Sequence, residues 1–276
     1  MKIDMSKQMR TMQLLLYMIT IYSFYALHAD VELVRHSAKA SQSIQKHSFE
    51  SYLLPKEHPL HQQLAHLFHN PQMFRSHTFL RREGFTVKLG NRRTKLMVGS
   101  HPSILQNLIK KFPDDVSQTT QLKNFVKRIK GAEVLRNYIK KHNFKYLVVP
   151  EKWLYKLPKD FPSHSYVLVV EKMDIYDDWD DPNGEARKMY YSMDIEVLTE
   201  LCTLLHGVGG YDSLPRNQPF TRSGQIAFID TEYVGTTKNK EQFHRDTIPA
   251  LNQELQAYAL ALWEKLEEEK GTRNQK

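Results

Sequence analysis

Thiols are nearly absent from this chain: among 276 residues the one cysteine is Cys202, which excludes an internal disulfide. Long apolar runs are scarce as well. The run Met12 to Leu27 is diluted by Tyr and Ser and is short for a bilayer. Acidic residues are in deficit, 31 against 39 Lys and Arg, giving a net charge of +8. That surplus favours anionic surfaces or phosphates, but it is spread along the sequence and gives no specific nucleic-acid signal. The first hairpin pattern, residues 84–98, carries no G-x-G-x-x-G, so a glycine-rich cradle for phosphates is missing there. What is present is ordinary globular material, 41% hydrophobic and 25% charged, enough for a real core.

Residues 1–29 have the marks of a secretory signal peptide. Lys2, Lys7 and Arg10 precede the apolar run, and Ala29 precedes the polar Asp30. The alternative is an uncleaved N-terminal membrane anchor. Either way the expectation is an exported protein, periplasmic or secreted, whose remaining 36 basic and 30 acidic residues leave a charge of +6. Residues 30–57 read as a polar arm or linker.

From Pro59 the pattern becomes structured. Leu60, Leu64, Leu67 and Phe68 share a helical face. His61, His66 and His69 on that helix read as surface histidines, because no acidic or cysteine ligand accompanies them. Residues 84–89 and 95–98 predict a β-hairpin, and 108–112 a third strand that delivers Lys110 or Lys111 to a cleft. The two point to opposite faces, so one of them serves. A long helix, about Thr120 to His142, carries one acidic residue, Glu133, amid many lysines and arginines. Glu133 neutralises a neighbour on its own helix or turns inward to Lys110. Strands are expected at Tyr146–Val149 and Tyr166–Val170, with Glu151–Tyr155 as part of their separator. Residues 177–185 read as an acidic solvated connector. Ser192 is placed as the cap of a helix ending at Gly207, on whose apolar side Cys202 is a buried structural thiol. Ile248 to Lys270 makes a final helix.

Between helix and final helix lies His206 to Glu232, H-G-V-G-G-Y-D-S-L-P-R-N-Q-P-F-T-R-S-G-Q-I-A-F-I-D-T-E. A carboxylate at the end of an apolar strand, as at Asp230, is costly unless it is hydrogen-bonded or binds a cation. The spacing Asp212-x-x-x-x-Asn217, then an apolar strand ending in Asp230, resembles the catalytic loop and metal-binding strand of the protein kinase-like superfamily. From about Gly84 to Glu232 the order of elements is similar too. His101-Pro102 and Ile229-Asp230-Thr231-Glu232 look like features of uncharacterised kinase-like proteins from intracellular bacteria.

The resemblance implies an α+β, two-lobe kinase-like fold. Residues 58–170 would form a lobe with an antiparallel sheet and a preceding helix, and 171–276 a short, mostly helical lobe. It implies Asp212 as the base for a hydroxyl proton, Asn217 and Asp230 as ligands of Mg²⁺, and Lys110, held by Glu133, against the phosphates of ATP. Glu171 to Met173 would be the hinge beside the adenine. The departures are equally specific. Gly210-Tyr211 replaces the usual His-Arg, Asp230-Thr231-Glu232 replaces Asp-Phe-Gly, and no Ala-Pro-Glu follows. Three readings therefore stand: an exported Mg-ATP phosphotransferase, a catalytically inactive kinase-like module (a pseudokinase or secreted effector) that binds a protein partner, and an unrelated extracytoplasmic structural protein.

Overall fold

The computed structural model describes residues 49–89, 96–161, 164–235 and 239–273. The signal-peptide expectation for residues 1–29, most of the N-terminal arm and the hairpin tip lie outside them.

The fold is mixed α/β. A five-stranded antiparallel sheet runs in the order β1 (Thr86–Leu89), β2 (Met97–Ser100), β3 (Asn107–Lys111), β6 (Tyr166–Glu171), β5 (Lys152–Lys156). A second, parallel pair joins β4 (Leu147–Val148) to β7 (Ile226–Ala227). The seven α-helices of the described residues are α1 (Pro59–Leu67), α2 (His77–Arg82), α3 (Gln118–His142), α4 (Glu185–Tyr191), α5 (Ile195–Gly207), α6 (Asn239–Asp246) and α7 (Gln253–Arg273). Tyr52–Lys276 make one compact unit.

Both faces of the sheet are covered, which explains the unbroken apolar run of β6: Val167, Leu168, Val169 and Val170 are all buried. Val167 and Val169 join Ile109, Phe85, Phe74 and the buried leucines of α1 in one core. On the opposite face α3 packs across β5 and β6. This long helix is bounded by local chemistry. The Ser117 hydroxyl accepts from the Thr120 amide, and Asn143, at φ 54°, turns the chain in the left-handed region while its N–H closes on the carbonyls of Ile139 and Lys140. A second core gathers Leu198, Leu201, Leu204 and Leu205 of α5 with Leu135, Ile226, Phe228 and Trp263. Each such fully buried side chain contributes about 1.5–3 kcal/mol by leaving water.

Four local expectations change. The apolar strand expected to end at Asp230 is a strand over Ile226–Ala227 alone, because only those two residues pair with β4. Lys152–Lys156 is a strand of the main sheet, whereas Leu147–Val148 leaves that sheet to pair with β7. The buried Lys152, in phase with Leu154, hides the strand's alternation in the sequence. Ser192 ends α4 by donating to the Lys188 carbonyl, and Asp194 occupies the position before α5. The acidic connector is partly structured, since the Asp178 carboxylate accepts from the Glu185 and Ala186 amides and caps α4. The first helix is as expected, although His58 supplies its cap through Nδ1.

Candidate functional site

The register of the sheet decides which lysine of β3 faces which core. Lys110 stands opposite Leu168 of β6, which in turn stands opposite Leu154 of β5, and Lys152 lies one pleat further along the same α3-facing side. Lys111 goes the other way. It is buried, donates to the Phe74 carbonyl at 2.6 Å, and meets the Asp114 carboxylate at 3.3 Å. Burial lowers the Lys110 pKa, with Asp230 pulling it back up and Arg128 opposing. Among the described residues its ammonium has no hydrogen-bond or close ion-pair partner.

The second half of the site comes from the loop after α5. Asp212 and Ser213 follow the left-handed glycines Gly209 and Gly210, at φ 75° and 130°. A 3₁₀ turn, Pro215–Asn217, returns the chain, and the Asn217 carbonyl accepts from the Ile229 amide at 3.1 Å and the Tyr211 hydroxyl at 3.0 Å. These bonds tie Asn217 to the residue just before Asp230. Tyr211 is buried edge-on against Phe228, and burial pushes its phenol well above the usual value. Asp230 is close enough for its charge to act on Asp212. Burial, then the Asp230 charge, raises the Asp212 carboxyl above its ordinary value.

Asp230 behaves in the opposite way. Its burial disfavours ionisation, but Lys110, Arg128 and Lys152 together outweigh that and hold its carboxyl below the usual 3.8. Its Oδ1 is fully covered and lies 3.5 Å from Nε of Arg128, without hydrogen-bond geometry. The side chain as a whole keeps 34% exposure, and the Glu232 amide also donates to the carboxylate.

Arg128 and Lys152 are constituents the motif did not contain, and both contact its last residues, Thr231 and Glu232. Arg128 is 2% exposed and gives one guanidinium nitrogen to Glu232 in a short ion pair and another to the Asn124 carbonyl. Lys152 donates to the Thr231 hydroxyl at 2.7 Å and the Ile229 carbonyl at 3.2 Å. Burial, reinforced by Lys110, drives its pKa well below the ordinary lysine value. The Thr231 hydroxyl donates in turn to the Arg128 carbonyl. The sequence did hold a signal for Arg128, because it falls three residues after Phe125 and one before Ile129, inside the apolar stripe of α3.

The remaining expected site residues lie elsewhere. Glu133 is half-buried on α3 and its charge acts on Tyr52; it is not among the charges that act on Lys110. Glu171 ends β6, and its carboxylate accepts from the Glu151 amide at 3.0 Å. Met173 follows, half-buried, where the chain leaves the sheet and the Lys172 amide donates to the Gln106 carbonyl. Lys110, Asp212, Asn217 and Asp230 are thus brought together, Glu171 and Met173 sit at the end of the adjoining strand, and Glu133 stands apart.

The donor set fits a hard cation in part. Asp230 offers a carboxylate on a part-exposed side chain, and the Asn217 side-chain amide has no hydrogen-bond partner among the described residues. No cluster of three or more His, Cys, Asp or Glu suited to a metal occurs among those residues, so other oxygens would have to complete the shell. Elsewhere, burial raises the Cys202 thiol to about 12, which leaves it unreactive. No protein-family model matches the chain, and no curated protein matches it.

Proposed function

We propose that this chain is an atypical, exported kinase-like phosphotransferase that uses Mg-ATP. One observation carries the reading: Lys110 from the third strand and Asp230, three residues beyond β7, act on each other's charge in a site that also holds Asp212 and Asn217. A lysine on a buried strand with no direct partner is suited to an incoming anion, here the nucleotide phosphates. Asp212, with its raised pKa, is suited to accept the proton of an acceptor hydroxyl as the hydroxyl oxygen bonds to the γ-phosphorus and the bond to the β-phosphate oxygen breaks. Asp230 and Asn217 would hold Mg²⁺, which when bound supplies neutralisation of phosphate charge. Glu171 and Met173, where the chain leaves β6, would serve the adenine side.

A second reading has its own support. Glu133 does not reach Lys110, and three cations crowd the carboxylate that would bind metal. Both features weaken a metal-dependent active site and favour a catalytically inactive kinase-like module that binds a protein partner. Export is part of the proposal and rests on residues 1–29 alone; among the described residues no helix is long and apolar enough to cross a membrane.

Thermal melting of the full chain with and without Mg-ATP tests the reading. A ligand bound to the native state raises the melting temperature. The expected result is a Mg-dependent rise that Asp230→Asn abolishes. No rise with any nucleotide sinks the phosphotransferase, while a rise independent of Mg²⁺ selects the inactive module. Transfer of labelled phosphate to a generic hydroxyl acceptor, lost in Asp212→Asn, distinguishes the active form.

A further inference from the structure

The pair formed by β4 and β7 leaves one edge open. On the β7 side, the Tyr146 and Val148 carbonyls accept from the Ile226 and Phe228 amides. The outer side of β7 is covered in turn, since the Ala227 amide donates to the Pro219 carbonyl and Ile226 bridges to Phe220. Main-chain groups alternate in direction along an extended strand, so those of Leu147 and Val149 point away from β7. No third strand joins them among the described residues. A groove of about 590 Å³ runs beside this edge, with Arg136, Ile139 and Lys140 of α3 in its other wall. Among the described residues its charged lining is Arg136 and Lys140, both basic. One guanidinium nitrogen of Arg136 donates to the Pro150 carbonyl at 3.1 Å, which fixes the side chain at the strand's end. Its remaining N–H groups, like the Lys140 ammonium, have no protein acceptor among the described residues.

We infer that this groove takes an extended, acidic segment of a partner protein, which adds to β4 as a further strand. The inference is independent of the nucleotide reading, because the groove shares no residue with that site. An unpaired strand edge is a template for pairing, and the main-chain groups of Leu147 and Val149 would hold the backbone of the segment. Side chains of the segment alternate in direction, so every second one faces α3, where Arg136 and Lys140 favour carboxylates. The chain's own remaining segments do not suit the groove. Residues 1–48, 90–95, 236–238 and 274–276 each carry more Lys and Arg than Asp and Glu, and residues 162–163 carry no charge. Nor does a second copy supply the match. The acidic run Glu267 to Glu269 lies within helix α7, and in the acidic connector Asp177 is paired with Lys88 while Asp178 caps α4.

The test uses the full chain and a fluorescein-labelled peptide of alternating Val and Glu. Amide exchange followed by NMR is expected to show Leu147 and Val149 exchanging fast in the free chain and protected once the peptide is added, with Val148, whose amide faces β7, slow throughout. If the first two are already slow in the free chain, the edge is covered and the inference falls. Fluorescence anisotropy is expected to show binding that weakens by about tenfold or more when the peptide amides are N-methylated, as the loss of main-chain hydrogen bonds requires. Lys140→Glu, at an exposed position and with folding checked by circular dichroism, is expected to weaken binding about fivefold. Failure of the acidic peptide to bind, equal binding of its methylated form, or equal binding of a peptide of alternating Val and Lys each overturns the proposal. Self-association of the chain that the peptide competes away would assign the edge to a second copy and overturn it as well.

Discussion

Gly131 of α3 lies so close to Thr231 that a β-carbon on the glycine would stand 2.0 Å from the Thr231 carbonyl oxygen. The helix and the segment after β7 touch backbone to backbone, and that contact lets Arg128, one turn earlier, reach Asp230 and Glu232. Gly131→Ala should therefore push the two apart despite alanine's better helix propensity. A loss of about 1–3 kcal/mol is expected, the cost of overpacking. Gly271→Ala in α7 meets nothing within 4 Å and should be neutral or slightly stabilising. Melting curves of the two variants check the contrast; equal melting temperatures would remove the close contact as a constraint.

Thr231 is the joint of the same network, fully buried, accepting from Lys152 and donating to the Arg128 carbonyl. Thr231→Val keeps the shape and removes the hydroxyl. Lys152 then retains the Ile229 carbonyl alone. Leaving a buried ammonium short of a partner costs about 1–3 kcal/mol, whereas Thr231→Ser should recover most of the stability. Chemical denaturation of the three proteins measures it, and a valine variant as stable as wild type would contradict the network.

Asp212 and Asp230 make opposite contributions to stability as pH changes. The Asp230 carboxyl is held below 3.8, so its stabilisation is present above that value and is lost as pH falls through the lowered pKa. The Asp212 carboxyl is raised, first by burial and then by Asp230, so stability present below 3.8 is lost as pH rises through the elevated pKa. Asp212→Asn should consequently melt higher than wild type at neutral pH. Asp230→Asn should melt lower, by about 1–3 kcal/mol, less than for a fully buried pair because part of the side chain meets water. Melting temperatures from pH 3 upward would refute this if both variants shifted in the same direction.

The elements that carry the site were legible where they were long or regularly patterned. The helix at 118–142 and the strand at 166–171 follow from apolar periodicity, the strand expected to run up to Asp230 shrinks to Ile226–Ala227, and the register of β3 separates Lys110 from Lys111 as alternation requires. Lys152 was not legible, because a charged residue on a buried strand face reads as a break in the pattern until the partner that accepts its hydrogen bonds is known. Arg128 was present in the apolar stripe but stood among many basic residues of the same helix. Glu133 stood out by being the one acid there, yet uniqueness along a helix says nothing about direction, and its charge acts on Tyr52. Pairings between distant segments, such as Arg128 with Glu232 across 104 positions, are set by packing that no local pattern encodes.

Adjacent lysines on β3 give the last prediction. Lys111 is locked by the Phe74 carbonyl and Asp114, and its ammonium lies 5.3 Å from the centre of the Phe74 ring. Lys111→Met removes those bonds and leaves the Phe74 carbonyl without its donor, so a loss of about 1–3 kcal/mol is expected. Lys110 has no such bonds, and burial already opposes its charge. Lys110→Met replaces that ammonium with an apolar group of similar length; it forfeits only attraction to Asp230 and Glu232, so the melting temperature should move little. Nucleotide binding should show the reverse order, with the Mg-ATP-induced rise in melting temperature lost in Lys110→Met and kept in Lys111→Met. Because stability and ligand response are read from the same melting curves, a Lys110→Met variant that melts normally and still responds to Mg-ATP would exclude Lys110 from the phosphate site without any question of misfolding.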